Sequence, residues 1–392
     1  MHIPNERVYT EMRSEIASLW YVPTNNGQKA AFLIKAPTPS LKAMIAGCPI
    51  QLVFGKQDSY LCIGIRIEDM PDTPIFISGI QKEYEEHIAL VKSIEQGTIP
   101  IFLFNEMDIC IGSSLIEIKK SDVSDILNFV GDEKMLYVGI FDEKASYVLD
   151  CFGFSVGEVL RYPNACEIPI IQITPNIGKW KTNDVYFIGN GHSQKINLAN
   201  KDEGGTFENT IWASLESVFP TGLYQSPKVK KGNNFREFTD VFAYYEYGSF
   251  MIEAKDLSVI QAGYDKDESK RLAGIQKQVK KAIKQLVGAV SAFNRGDILF
   301  NAEEKEIIVD RSQPPHCIIL ITELMFCGDW DDITNQLCCA MKQTGAFFHI
   351  LDLRELITIL KKSSGDPRLI DYNLMQRCNL CIEKNSIFVR GI

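Results

Sequence analysis

The stretch from Thr239 to Lys255 constrains this chain most, because it reads as a β-hairpin whose register decides where its charges fall. Thr239-Asp240-Val241-Phe242-Ala243-Tyr244-Tyr245 has the β-branched and aromatic content of a strand, Glu246-Tyr247-Gly248 turns the chain, and Ser249-Phe250-Met251-Ile252-Glu253-Ala254-Lys255 is strand-like again. A turn centred between Glu246 and Tyr247 sets Asp240 directly opposite Glu253. Side chains alternate faces along a strand, so Glu253 and Lys255 share that face while Ala254 points away. Two opposed acids with a cation two residues on make a poor structural pair but a good site for a divalent ion. A slip of one residue would scatter the carboxylates.

The flanking segments extend the pattern. A helix from about Thr206 to Phe219 buries Phe207, Ile211, Leu215 and Val218 at helical spacing and carries Glu208 at the edge of that stripe. After the hairpin, Asp267 or Ser269 caps a helix reaching about Phe293, with the stripe Leu272, Ile275, Val279, Ile283, Leu286, Val290 and Phe293. Lys277, Lys280, Lys281 and Lys284 decorate its other side, which reads more readily as a solvated face than as a phosphate track. A strand (Cys317–Ile321), a helix (Asp331–Thr344), a strand (Phe347–Leu351) and a helix (Arg354–Lys362) follow. That order predicts an α/β domain with a mixed central sheet between helices.

Upstream, the chain alternates strand candidates with two helices and predicts a sheet-rich α+β region over 1–190. The strands are Ala31–Lys35, Gln51–Phe54, Tyr60–Ile67, Pro74–Ile77, Ile99–Phe104, Ser114–Ile118, Met135–Phe141, Tyr147–Cys151 and Ile168–Ile173; the helices are Gln81–Glu95 and Asp122–Val130. A further short helix fits Tyr9–Leu19. The polar, glycine-punctuated segment 191–205 reads as a linker, leaving 206–392 as the second domain. Gly55-Lys56 lacks the glycine and Ser/Thr spacing of a nucleotide-binding loop, so no ATP-driven motor is indicated.

The Glu-x-Lys tripeptide also occurs at Glu117/Lys119, Glu268/Lys270 and Glu303/Lys305, so context decides. The last two lie in charged surface runs. Glu117 has Asp108 upstream but no long basic helix after it. Only the 253/255 pair has an acid-bearing helix before it and a Gln/Lys helix behind it. The plainer reading of Asp240, Glu253 and Lys255 is a cross-strand ion pair, worth little to stability.

Taken together, Glu208 in Gly205-Thr206-Phe207-Glu208, Asp240 opening a strand, Glu253-Ala254-Lys255 closing the next, and Gln276 with Lys280 on the following helix resemble the PD-(D/E)XK nuclease superfamily. The resemblance covers roughly residues 204–355. It departs from the pattern at Thr239, where the family often has proline, and Gln276/Lys280 fits the family's glutamine motif loosely. It implies a restriction-endonuclease-like core and a Mg²⁺-dependent endonuclease, with Mn²⁺ as a substitute. Asp240, Glu253 and the Ala254 carbonyl would then be metal ligands, Glu208 an outer or second-metal ligand, Lys255 the orienter of water or stabiliser of the phosphorane, and Gln276 an accessory group. It also implies DNA rather than RNA as partner, a homo-oligomer serving two strands, and a place in bacterial restriction or anti-phage defence of the Mrr-like or Shedu type. The rivals are a catalytically silent nucleic-acid-binding or assembly protein of the same fold, and an RNA-cleaving toxin.

A chain of 392 residues has room for two or three cores. Its polar start, the absence of a long apolar run and an odd count of 11 cysteines suit a cytoplasmic protein without a membrane span. The net charge of −9 argues against indiscriminate nucleic-acid binding and leaves room for a local basic surface. Cys378-Asn379-Leu380-Cys381, with Cys338-Cys339, reads as reduced buried thiols before it reads as zinc ligands, and His192, His316 and His349 show no ligand spacing.

Overall fold

A computed structural model describes residues 3–69, 74–157, 164–188, 193–200, 202–231, 234–255, 268–322, 324 and 328–390. It is a mixed α/β protein that divides into two compact units, Met1–Asn183 and the bulk of Asp184–Ile392. Among the described residues no helix is long and apolar enough to cross a membrane.

The first unit holds two sheets. One runs in the order Ser18–Thr24, Lys29–Lys35, Thr98–Phe104, Cys110–Glu117, with short strands at its edge; the other runs Ile75–Gln81, Tyr60–Ile67, Ile50–Gln57, Ile170–Ile173. The expected strand Tyr147–Cys151 is instead part of a helix, Glu143–Val156. Asp142 accepts a hydrogen bond from the Ala145 amide at 2.8 Å, and Ala145, Val148, Cys151 and Phe152 bury one face. The cap and the three- and four-residue spacing outweigh an apolar run too short to show its period. Met135–Phe141 is likewise not a strand: a short 3₁₀ turn at Glu133–Met135 leads into irregular chain whose Ile140 is 79% exposed. The helix near the start spans Glu6–Ser14, and Ser18 already opens a strand. A helix at Thr38–Ile45, led by Pro37 and Pro39, has no counterpart in the expectation.

Buried aromatic rings explain two glycines in this unit, Phe152 at Gly55 and chiefly Phe76 at Gly64. The fully buried Phe152 ring lies where a methyl group on Gly55 would collide with it, and a methyl on Gly64 would sit 2.6 Å from the Phe76 ring. Gly55→Ala is therefore expected to cost about 1–3 kcal/mol by overpacking. A lowered thermal midpoint of the full chain, partly restored by Phe152→Leu, is the measurement; an unchanged midpoint would mean that the ring moves freely.

The second unit is built on a five-stranded sheet in the order Leu223–Gln225, Val241–Tyr245, Gly248–Lys255, His316–Ile321, Phe347–Asp352. The first three strands are antiparallel to one another in succession, and the last two add to Gly248–Lys255 in parallel, giving the mixed sheet that the sequence order predicts. The long helix Glu268–Asn294 and the helix Asp331–Thr344 cover one face through Val279, Leu286, Val290 and Leu337 against Met251, Cys317 and Ile319. The helices Glu203–Glu216 and Leu353–Lys362 lie on the other, where Phe219 packs on Phe250. A further helix, Pro367–Lys384, follows the last one expected. The expected linker 191–205 includes a strand, Ser193–Ile196, paired with Val185–Ile188, and the first residues of the helix that carries Glu208.

Two buried polar networks tie the Pro367–Lys384 helix to the sheet. Tyr245 donates to Asp371 at 2.5 Å, the His316 ring lies 3.1 Å from Asp371 and 3.0 Å from His349. His349 is fully enclosed and held well below its ordinary pKa, by burial first and then by His316 and Arg377, so it stays neutral. Near it, Arg377 donates to Glu355 at 2.8 Å and to the carbonyls of Ile350 at 2.7 Å and Ile387 at 3.2 Å. Arg390 then reaches Asp352 at 2.9 Å and Glu355 at 3.3 Å.

Candidate active site

The hairpin pairs Val241 with Ile252 and Tyr245 with Gly248 around a two-residue turn at Glu246-Tyr247. This is the register the spacing predicts, and its next rung sets Asp240 across from Glu253. The ladder is continued there by side chains. Thr239 donates its hydroxyl to the Ile252 carbonyl at 2.7 Å, and the Asp240 carboxylate accepts the Ala254 amide at 2.7 Å. A buried amide at the end of a ladder needs such an acceptor, which fixes the Asp240 rotamer. Within a strand the N–H and C=O of one residue point to the same neighbour, so the Ala254 carbonyl also faces the Asp240 side.

Asp240 and Glu253 are both buried, and Lys255 bridges them, 2.9 Å from Glu253 and 3.4 Å from Asp240. Burial works against the Lys255 ammonium, but Glu253 and Asp240 together raise its pKa, so it is a firm cation. Glu253 is pushed up to about 7, by burial first and by the Asp240 charge second, with Lys255 only partly offsetting them. Glu208, half-buried on its helix, is also pushed up to about 7, by burial and then by Asp240 and Glu237. Glu208 therefore belongs to the same electrostatic cluster. Asp240 and Glu253 share one lysine in contact with them, with Glu208 and Glu237 close enough to add to the negative field, and a further cation relieves it. Among the described residues no three His, Cys, Asp or Glu side chains converge as a finished ligand set. The donors present, two fixed carboxylates and a carbonyl, still fit Mg²⁺, which keeps several waters and takes few protein oxygens.

A polar cleft of about 180 Å³ opens beside Glu253, lined by Arg236, Glu237, Phe238, Lys284, Gln285, Gly288 and Ala289. It decides which face of the long helix meets the acids. Gln276 donates to the Asp329 carbonyl at 2.6 Å and Lys280 pairs with Asp332 at 2.5 Å, so the structure turns both toward the Asp331–Thr344 helix. Lys284, one turn beyond Lys280, and the adjacent Gln285 stand at the cleft instead. The i, i+1, i+4, i+5 spacing of Lys284, Gln285, Gly288 and Ala289 was the signal available in the sequence. Lysines and glutamines recur around the polar side of this helix, so composition alone could not choose among them.

The other candidates do not converge. Glu117 is exposed at the end of its strand, and Asp108 forms a buried ion pair with Lys35 rather than meeting Glu117. Cys378 is buried with its thiol pushed up chiefly by burial, and Cys381 accepts a hydrogen bond from Arg377 at 3.6 Å. His192 and Asp267 lie outside the described residues. Neither a family model nor a curated protein nor a solved structure matches this chain, so the chemistry of the site rests on its own residues.

Proposed function

We propose that the chain is a Mg²⁺-dependent nuclease of the PD-(D/E)XK type that hydrolyses phosphodiester bonds of DNA. The observation that carries this reading is the meeting of Asp240, Glu253 and Lys255 at the end of one hairpin, with Glu208 drawn into the same field. The order of acid-bearing helix, hairpin, long helix and parallel strand supports a restriction-endonuclease-like core. Asp240, Glu253 and the Ala254 carbonyl would hold the ion, with Glu208 as an outer or second-metal ligand. Bound there, Mg²⁺, or Mn²⁺ in its place, lowers the pKa of water and offsets charge on the phosphate oxygens.

The chain's own residues do the rest. The Ala254 amide occupies one oxygen of Asp240 and so orients the other. Lys255, held charged, stabilises the negative charge that builds on the phosphorane or orients the attacking water. Lys284 and Gln285 border the cleft that receives the scissile phosphate. Cutting both strands requires two such sites, so the reading includes a homo-oligomer. Its setting is bacterial restriction or defence in the cytoplasm, with the first unit positioning or controlling the second.

Conversion of supercoiled plasmid to nicked circle with Mg²⁺ tests the reading. Lys255→Ala is expected to slow it by about 10²–10³-fold and Gln285→Ala by about 10-fold, while Gln276→Ala leaves the rate unchanged. A plasmid left intact by the parent chain with both Mg²⁺ and Mn²⁺, or cut as fast by Lys255→Ala, removes the assignment.

A further inference from the structure

We propose that the hairpin formed by Lys228–Lys231 and Asn234–Glu237 grips the phosphate backbone of duplex DNA and leads it into the acid cleft. The identity of the polyanion rests on the nuclease reading; the basic, aromatic surface does not. This hairpin belongs to a small sheet outside the central one, with Asn234–Glu237 as its free edge and Leu299–Phe300 on its inner side. Val229 is buried beneath it in the main core, so the element is anchored and not a loose loop.

Its outer surface is of different character. Lys230 shares that surface with Phe235, whereas Arg236, across the ladder from buried Val229, is exposed on the opposite face, where it borders the cleft; among the described residues neither side chain has a hydrogen bond or ion pair. Phe235 stands directly across the ladder from Lys230, remains 42% exposed, and is braced edge-to-face by Phe300 at 5.1 Å. An unpaired cation beside a braced aromatic is an unusual use of surface in a chain of net charge −9. A bare sheet edge also invites pairing with other chains, and charge on it blocks that.

The hairpin also borders the candidate site. Arg236 lines the cleft on the hairpin side and Lys284 lines it on the helix side, with Glu253 between them. Acids at the floor call for a metal ion, while cations on both walls call for an anion. A phosphodiester accompanied by a divalent ion satisfies both at once. A two-stranded ribbon has the width to enter the major groove of a duplex, which commits the proposal to double-stranded DNA.

The test is fluorescence anisotropy of a short labelled duplex with the full chain in Ca²⁺, which supports binding without cleavage. Lys230→Ala with Arg236→Ala is expected to weaken binding by about 10–100-fold and to lower the slope of log K against log salt by about one per residue removed. Arg236→Lys should keep most of the slope. Thermal melting of each variant checks that the fold is retained, and both side chains are exposed. Parent-like affinity and salt slope in the double variant overturn the proposal even if the plasmid is still nicked with Mg²⁺. Tighter hairpin-dependent binding of single-stranded DNA or RNA than of duplex also overturns it. Hairpin-dependent duplex binding without any nicking upholds it and removes the nuclease reading instead.

Discussion

Glu253→Gln is expected to abolish cleavage, by about 10³-fold, and at the same time to raise the melting temperature of the metal-free protein above neutral pH. The sign follows from the carboxyl's environment. Its pKa is about 7 in the folded chain, against about 4.3 in an unfolded one, so the folded state holds the proton more tightly. The stability this contributes is complete below the unfolded value and is lost as pH rises through 7, a loss on the order of 3 kcal/mol for a shift of this size. Glutamine carries no such charge. The variant and the parent should therefore melt together near pH 4 and separate by several degrees by about pH 8. His349 pulls the other way: an imidazole buried neutral costs stability as pH falls through the unfolded value of about 6.5. Glu208, also pushed up to about 7, opposes His349 in parent and variant alike, so the difference between the two proteins, not the slope of either, reports Glu253. Mg²⁺ should raise the parent's midpoint at pH 8 and leave the variant's in place. Differential scanning calorimetry across pH, with and without Mg²⁺, reads all of this. A variant that melts below the parent at pH 8 would mean that Glu253 is there for the fold and not for a cation.

Arg377→Met is expected to be the most damaging change away from the site, costing about 3–5 kcal/mol. Arg377 and Glu355 are each 2% exposed, and the guanidinium also holds two main-chain carbonyls. Removing the cation takes the nearest partner from a carboxylate that cannot reach water and leaves those carbonyls short of a donor. Arg390, at 3.3 Å, compensates Glu355 only in part. Pairing the change with Glu355→Gln should recover much of the loss, because the uncompensated charge is then gone. Urea denaturation of the three variants gives the comparison. Equal and additive losses would show that the pair does not act as a unit.

How much of this was legible in the sequence depends on the range of the signal. The hairpin register was, because a two-residue turn and strict alternation are local and leave one alignment that keeps the acids on one face. The stripe on the long helix was too: Ile275, Val279, Ile283, Leu286, Val290 and Phe293 are all buried. The face that this helix turns to the acids was not, since that depends on its packing against the sheet and the Asp331–Thr344 helix. The basic hairpin at Lys228–Glu237 was missed because its strands are four residues long and mostly polar, and its one core contact, Val229, is invisible without tertiary structure. Tyr147–Cys151 failed for a related reason: five residues cannot distinguish a period of two from one of 3.6.

The clamp around Glu355 has a consequence for how the molecule is made. Glu208, Asp240, Glu253 and Lys255 have all left the ribosome well before Arg377 and Arg390, which fasten the far edge of the sheet carrying those acids. A nascent chain thus possesses its reactive groups while the frame that holds them is unfinished. The late position of the clamp, more than 100 residues after the acids, delays completion of the second unit until late in synthesis, and a ribosome stalled between these points would leave a carboxylate-rich, incompletely closed sheet for chaperones to shield.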